Sequence, residues 1–183
     1  ALDFFESSKI LINQHEEYLE RYIMSLVFED KVAKAINIIK TETKKSNSNF
    51  FEAYILLALD SLKKNNINKA KEILSEVPEN LQKDRFNFII IDSLKQYFDV
   101  FNNNKIEKGN QNFGDLSFIT ETFQRCYLGD ENTGSFFSRL INNNNADYSR
   151  YVYFYLSYLI EKNQIEEAKL ITDELDYINT TLL

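Results

Sequence analysis

Four alanines constrain this chain more than any other feature. Ala1, Ala35, Ala70 and Ala168 stand 34, 35 and 98 residues apart, and 98 is close to three periods of about thirty-three. A fixed period in the low thirties is the sequence mark of stacked helical hairpins. Each unit supplies two antiparallel helices, and a small residue near the start of the second lets its backbone approach the first. The expected fold class is all-α, an α-solenoid of antiparallel helix pairs with about five repeats. Turn chemistry agrees: the 183 residues include one Pro and four Gly, fewer than β-sheet folds use.

The apolar periodicity divides the chain. Residues 1–12 read as half a repeat, the second helix of a hairpin, with Ala1 where Ala35 and Ala70 stand. In 14–45, Leu19, Tyr22, Ile23 and Leu26 fall at i, i+3, i+4 and i+7, one face of a helix. Val32, Ala35, Ile36 and Ile39 rebuild the stripe after Glu29-Asp30-Lys31. The pair 49–78 repeats the design with Tyr54, Leu57, Ala58 and Leu62, then Ile67, Ala70, Ile73, Leu74 and Val77, and Pro78 closes it. In 83–112, Phe86, Ile89, Ile90, Leu94, Phe98 and Phe101 form one long helix. Its partner segment, 102–112, has Ile106 as its single apolar residue and cannot bury a helical face, so this third repeat is degenerate and reads as a loop. The pair 115–143 carries Leu116, Ile119, Phe123 and Tyr127, then Phe136, Phe137, Leu140 and Ile141. The pair 147–178 is dense in aromatics, Tyr151 to Tyr158, and ends on Ile165, Ala168, Leu170, Ile171 and Leu175.

Composition removes several function classes. Apolar residues make up 44% of the chain and charged residues 27%, enough for a folded core. The net charge of −7 argues against a general nucleic-acid binder, which carries a basic face, and against docking on an anionic membrane surface. No apolar run approaches the roughly twenty residues that membrane insertion needs. One cysteine, Cys126, excludes an internal disulfide. The chain opens on Ala1 without an initiator Met, so a longer parent is expected, with Leu2, Phe4 and Phe5 exposed at an uncapped end. Homo-oligomerisation through that end is one expectation.

Catalytic signatures are missing from the sequence. His15, the single histidine, has no second His at i+4. Cys126 would need His15 as its base, more than a hundred residues away, and reads as a buried inert thiol. Gly109 and Gly114 have the spacing of a phosphate loop, but Asp115-Leu116 follows where Lys-Ser/Thr is required. No catalytic, cofactor-binding or metal-binding residue is assigned, and no cofactor is expected.

With the small residue set at Ala70, the chain resembles the tetratricopeptide repeat family. Tyr54, Leu57 and Ala58 then match the family's large, large and small first-helix positions, and Leu74 its large second-helix position. Setting it at Ala35 brings Leu19, Tyr22, Ile23 and Ile39 into those places, and Ala168 brings Val152, Tyr155, Leu156 and Thr172. Ile23 stands where a small residue is usual, and the family's proline comes four residues later than Pro78 does. The run from Ala1 to Leu74 looks most like tetratricopeptide proteins of bacteria, alphaproteobacteria in particular, which leaves cytoplasm and periplasm both open.

The resemblance implies a right-handed solenoid whose concave face, lined by first helices, binds a peptide or protein. That face would show Glu17, Glu20, Met24, Val27 and Phe28 in the first pair. It would show Glu52, Ile55, Leu59, Leu62 and Lys63 in the second, and Arg150, Tyr153, Ser157, Ile160 and Glu161 in the last. The expected partner-binding set is Glu52, Ile55, Leu59, Lys63, Arg150, Tyr153, Ser157 and Glu161, with Tyr153 foremost because its ring is broad and its tip polar. The expected function is a non-catalytic scaffold or adaptor. The alternatives are a structural arm of a larger enzyme whose catalytic domain lies outside this chain, or a self-assembling solenoid.

Overall fold

The computed structural model describes residues 2–8, 11, 16–42, 50–143 and 147–174. Ala1, His15 and Leu175 lie outside the described residues. The chain is all-helical, with no strand among the described residues. The helices are α1 (Leu2–Ser7), α2 (Glu16–Phe28), α3 (Val32–Glu42), α4 (Phe51–Lys63), α5 (Ile67–Ser75), α6 (Glu79–Gln82), α7 (Arg85–Asn103), α8 (Asp115–Leu128), α9 (Thr133–Ile141), α10 (Val152–Glu161) and α11 (Ile165–Glu174). A 3-10 turn, Ser149–Tyr151, leads into α10. Internal contacts divide the chain into two compact units, Ala1–Asn102 and Asn103–Leu183.

One turn recurs four times. The pairs α2/α3, α4/α5, α8/α9 and α10/α11 are joined through a single left-handed residue: Asp30, Asn65, Gly129 and Asn163, with φ of 56°, 58°, 65° and 58°. Gly and Asn tolerate this geometry best. In each turn two backbone amides cap the departing helix. At the first, Lys31 N–H donates to Leu26 C=O (2.8 Å) and Asp30 N–H to Val27 C=O (3.1 Å). The long bond repeats as Asn66 to Ser61 (2.9 Å), Asp130 to Arg125 (3.0 Å) and Gln164 to Leu159 (2.8 Å). This is the Schellman arrangement, which satisfies carbonyls that a helix end leaves open.

Four residues after the second capping amide comes a small side chain every time: Ala35, Ala70, Gly134 and Ala168. The three alanines are buried. Gly134 belongs to this set although alanine spacing does not reveal it. The small residue and the turn thus recur together at the start of each second helix; at Gly134 the side chains that face the open position are Tyr158 and Tyr155 of α10.

In the first unit the core follows the apolar stripes. Leu19, Tyr22, Ile23, Leu26, Ala35 and Ile39 are wholly buried where α2 and α3 meet, and Ala53 and Phe50 join them from the next pair. Burying each large aliphatic side chain stabilises by about 1.5–3 kcal/mol. Ala58, Ala70, Leu74 and Phe98 form a second cluster, which seats α7 on α4 and α5. Phe51, Val77 and Ile91 form a third at the other end of the same helices. Pro78 does close α5, and it also caps α6, a single turn that the sequence stripes do not show. The N-terminal helix corrects an expectation. Leu2 is buried and Phe5 packs edge-on against Tyr18, so of the three residues expected to be exposed only Phe4 is. The Tyr18 hydroxyl also donates to the Phe5 carbonyl.

In the second unit α8 departs from its apolar stripe. Leu116 and Tyr127 are exposed, while Thr120, Thr122 and Gln124 are buried. Two of them have partners: the Thr122 hydroxyl donates to Phe118 C=O (2.8 Å), and Gln124 Oε1 accepts from Glu107 N–H (2.8 Å), 17 residues back. That last bond pins the segment after α7, which runs without regular structure to the start of α8. An aromatic stack, Phe137 on Tyr155 (5.5 Å between centroids) and Tyr155 on Tyr158 (6.5 Å), fills the core beyond. The Tyr155 hydroxyl donates to Glu167 Oε1 (2.8 Å), tying α10 to α11. Burial first, then this carboxylate, pushes the Tyr155 phenol well above its ordinary value.

Candidate functional site

Helices α2, α4 and α7 of the first unit enclose a groove of about 200 Å³. α2 contributes Met24 and Val27, one turn apart on the face beside Ile23 and Leu26, and Val27 also packs on their core cluster. α4 contributes Phe51, Glu52, Ile55 and Leu56, and the first turns of α7 contribute Phe86 and Ile90. α4 supplies this wall because it is apolar on more than one side, as a helix placed among several neighbours must be. Its other sides bury Ala53 and Ala58 in the core clusters. The groove walls are half-buried at Met24, Val27, Ile55, Leu56 and Ile90. Phe86 stands 68% exposed, and Phe28, next after Val27 on α2, is 81% exposed. Exposed aromatic rings at the rim of an apolar depression are characteristic of contact surfaces.

The charged end of the groove is acidic. Glu52 belongs to its lining, and Glu20 lies one helical turn before Met24. Burial holds the Glu20 carboxyl above the ordinary carboxylate range, and the charges of Glu52 and Glu17 add to that; Arg21 pulls the other way. The Arg21 guanidinium is itself bonded to Glu17 (2.6 Å). Several cations of this unit are engaged elsewhere: Lys34 with Glu6, Lys40 and Lys64 with Asp60, and Lys71 with Asp99.

Comparison of the chain with protein-family models, with curated proteins and with solved structures found no match to any of them.

The expected site residues separate into three groups. Glu52 and Ile55 meet in the groove, together with Met24 and Val27. Leu59 and Lys63 lie further along α4, exposed and outside the groove lining. Arg150, Tyr153, Ser157 and Glu161 are all exposed in the second unit, along the 3-10 turn and α10. Arg150 leans over its neighbour, with its guanidinium 5.5 Å from the Tyr151 ring centroid. Tyr153 is 42% exposed. Beside it Phe154 is also exposed and sits edge-on to Phe123 at 4.9 Å.

Phe51, Leu56, Phe86 and Ile90 complete the groove and were outside the expected set. Phe86 and Ile90 are one helical turn apart, so their shared face is readable from sequence. What α7 packs against is not, because its stripe reads equally well as core.

Among the described residues no three His, Cys, Asp or Glu side chains gather to hold a metal ion. No helix among them is long and apolar enough to cross a membrane. Cys126 is free and half-buried. Burial, with Glu161 adding and Lys162 opposing, pushes its thiol up, which disfavours the nucleophilic thiolate.

Proposed function

We propose that this chain is a non-catalytic scaffold or adaptor of the tetratricopeptide-like kind, which takes a segment of a peptide or protein partner into the groove between α2, α4 and α7. In this reading the hairpins stack as a right-handed solenoid and successive first helices line its concave face. The observation that carries the proposal is the convergence of Met24, Val27, Glu52 and Ile55 on one apolar groove. These residues come from different hairpins and from the helix face that the family resemblance assigns to ligand. The four-fold recurrence of one turn and one small-residue position supports the repeat reading.

Selection of displayed peptides on the full chain tests it, followed by affinity measurement on Phe86→Ser and Tyr153→Ala variants. Phe86 is exposed, so Phe86→Ser should leave folding within about 0.5 kcal/mol of the parent. The proposal expects enriched peptides to lose on the order of tenfold in affinity with Phe86→Ser, as loss of an aromatic anchor does. They should be unaffected by Tyr153→Ala. Loss confined to Tyr153→Ala would place the site in the second unit and overturn the proposal.

A further inference from the structure

The groove has more chemistry than an apolar slot, and that chemistry specifies an occupant. We infer that it takes a cationic amphipathic segment of a partner protein: one large apolar side chain in the groove, with lysine or arginine beside it on Glu20 and Glu52. This inference rests on the peptide-binding reading above and narrows it.

Size sets the first requirement. A cavity of about 150 Å³ lined by aliphatic and aromatic groups holds a benzene ring. The 200 Å³ here, between Met24, Ile55 and Phe86, therefore admits one Phe- or Leu-sized side chain and little more. A longer partner must run out along the rim, where the charged groups lie.

Charge sets the second. Glu20 and Glu52 repel each other across the acidic end, and Arg21, the cation that acts on Glu20, is already bonded to Glu17. No ion pair joins a lysine or arginine to either carboxylate among the described residues. A cation from outside would relieve that repulsion, and the exposed face of Phe86 offers it a second, cation–π contact. The whole chain carries −7, so it attracts basic partners at long range and slows acidic ones. The same charge disfavours a second copy as the occupant, since that copy brings the same excess of carboxylates.

The test uses the full chain and three labelled peptides, read by fluorescence anisotropy at low and high salt. The first has a central Phe flanked by lysines. The second replaces each Lys with Glu. The third replaces the Phe with Ala. The inference expects the basic Phe peptide to bind more tightly than either of the others by about tenfold or more, with the preference shrinking at high salt. In the double variant Glu20→Lys, Glu52→Lys the acidic peptide should become the better ligand. Melting curves check that each variant is folded.

Equal binding of the basic and acidic peptides, with both lost in Phe86→Ser, overturns the cationic preference and leaves the groove reading standing. Binding of the basic peptide that ignores both Phe86→Ser and the double charge reversal overturns the groove reading as well. Absence of binding by any of the three peptides overturns the inference. So does self-association abolished by Phe86→Ser, because the occupant would then be a second copy.

Discussion

The hairpins α4/α5 and α8/α9 are closed by the same turn and filled in opposite ways. Both turn through one left-handed residue, Asn65 or Gly129, and both set a small residue at the same place on the second helix, Ala70 or Gly134. Between α4 and α5 lie Ala58, Ile73 and Leu74, all apolar. α8 and α9 instead bury Thr120, Thr122, Gln124 and Thr133 beside Phe137 and Leu140. The turn is therefore common to both hairpins, and the interior accepts polar groups such as Thr122 and Thr133, whose hydroxyls find carbonyls of their own helix or turn. Thr133 shows how local such a partner is: its hydroxyl donates to Asp130 C=O (2.6 Å), three residues back.

The largest expected break is at the shared position. Ala70→Phe forces a ring into a wholly buried helix crossing and should cost about 1–3 kcal/mol in denaturant melts. Lys105→Phe, on the exposed segment after α7, should stay within about 0.5 kcal/mol. Equal losses for the two would mean that Ala70 is not a packing position.

Gln124→Leu probes the polar interior. The Glu107 amide loses its acceptor, while removal of the unpaired Gln124 Nε2 offsets part of the loss. A net cost of about 1 kcal/mol is expected, together with faster hydrogen exchange at Glu107. Unchanged exchange there would show that the bond does not hold the segment.

Gly134→Ala should go the other way. A Cβ there meets Tyr158 Cε1 at 3.7 Å, an ordinary contact, and the backbone is already helical. Removing glycine's freedom from the unfolded chain should stabilise by about 0.4–1 kcal/mol. Destabilisation would mean that this hairpin needs a closer approach than the α4/α5 pair.

The smallest effect concerns pH. Hydrogen bonds from Lys40 and Lys64, 2.8 Å each, hold the Asp60 carboxyl below the ordinary carboxylate range, against the opposing effect of burial. The folded state thus prefers the ionised form. Its contribution is complete above the ordinary value of 3.8 and is lost as pH falls through the lower folded value. Asp60→Asn should melt below the parent at neutral pH, and the gap should close in acid. A gap that persists in acid would show that Asp60 acts by packing.

Helices and hairpin register were legible because apolar side chains recur at helical spacing and because overpacking a close crossing is costly. Those constraints appear directly at Leu19, Tyr22, Ala35, Ala70 and Leu74. Thr120, Thr122 and Gln124 were not legible, since polar burial depends on partners such as the Glu107 amide that periodicity does not register. The groove was half legible. Met24, Val27, Glu52 and Ile55 were named through the face that the family resemblance implies, whereas Phe86 and Ile90 required knowing which side of α7 is left uncovered.

Met24 is the chain's one methionine and lines the groove, so a carbon-13 label on its methyl group reports that place with a single resonance. Titration with the lysine-flanked Phe peptide should move this resonance saturably, along the same isotherm as the anisotropy. A peptide that binds while the Met24 methyl signal stays where it was would contradict the account.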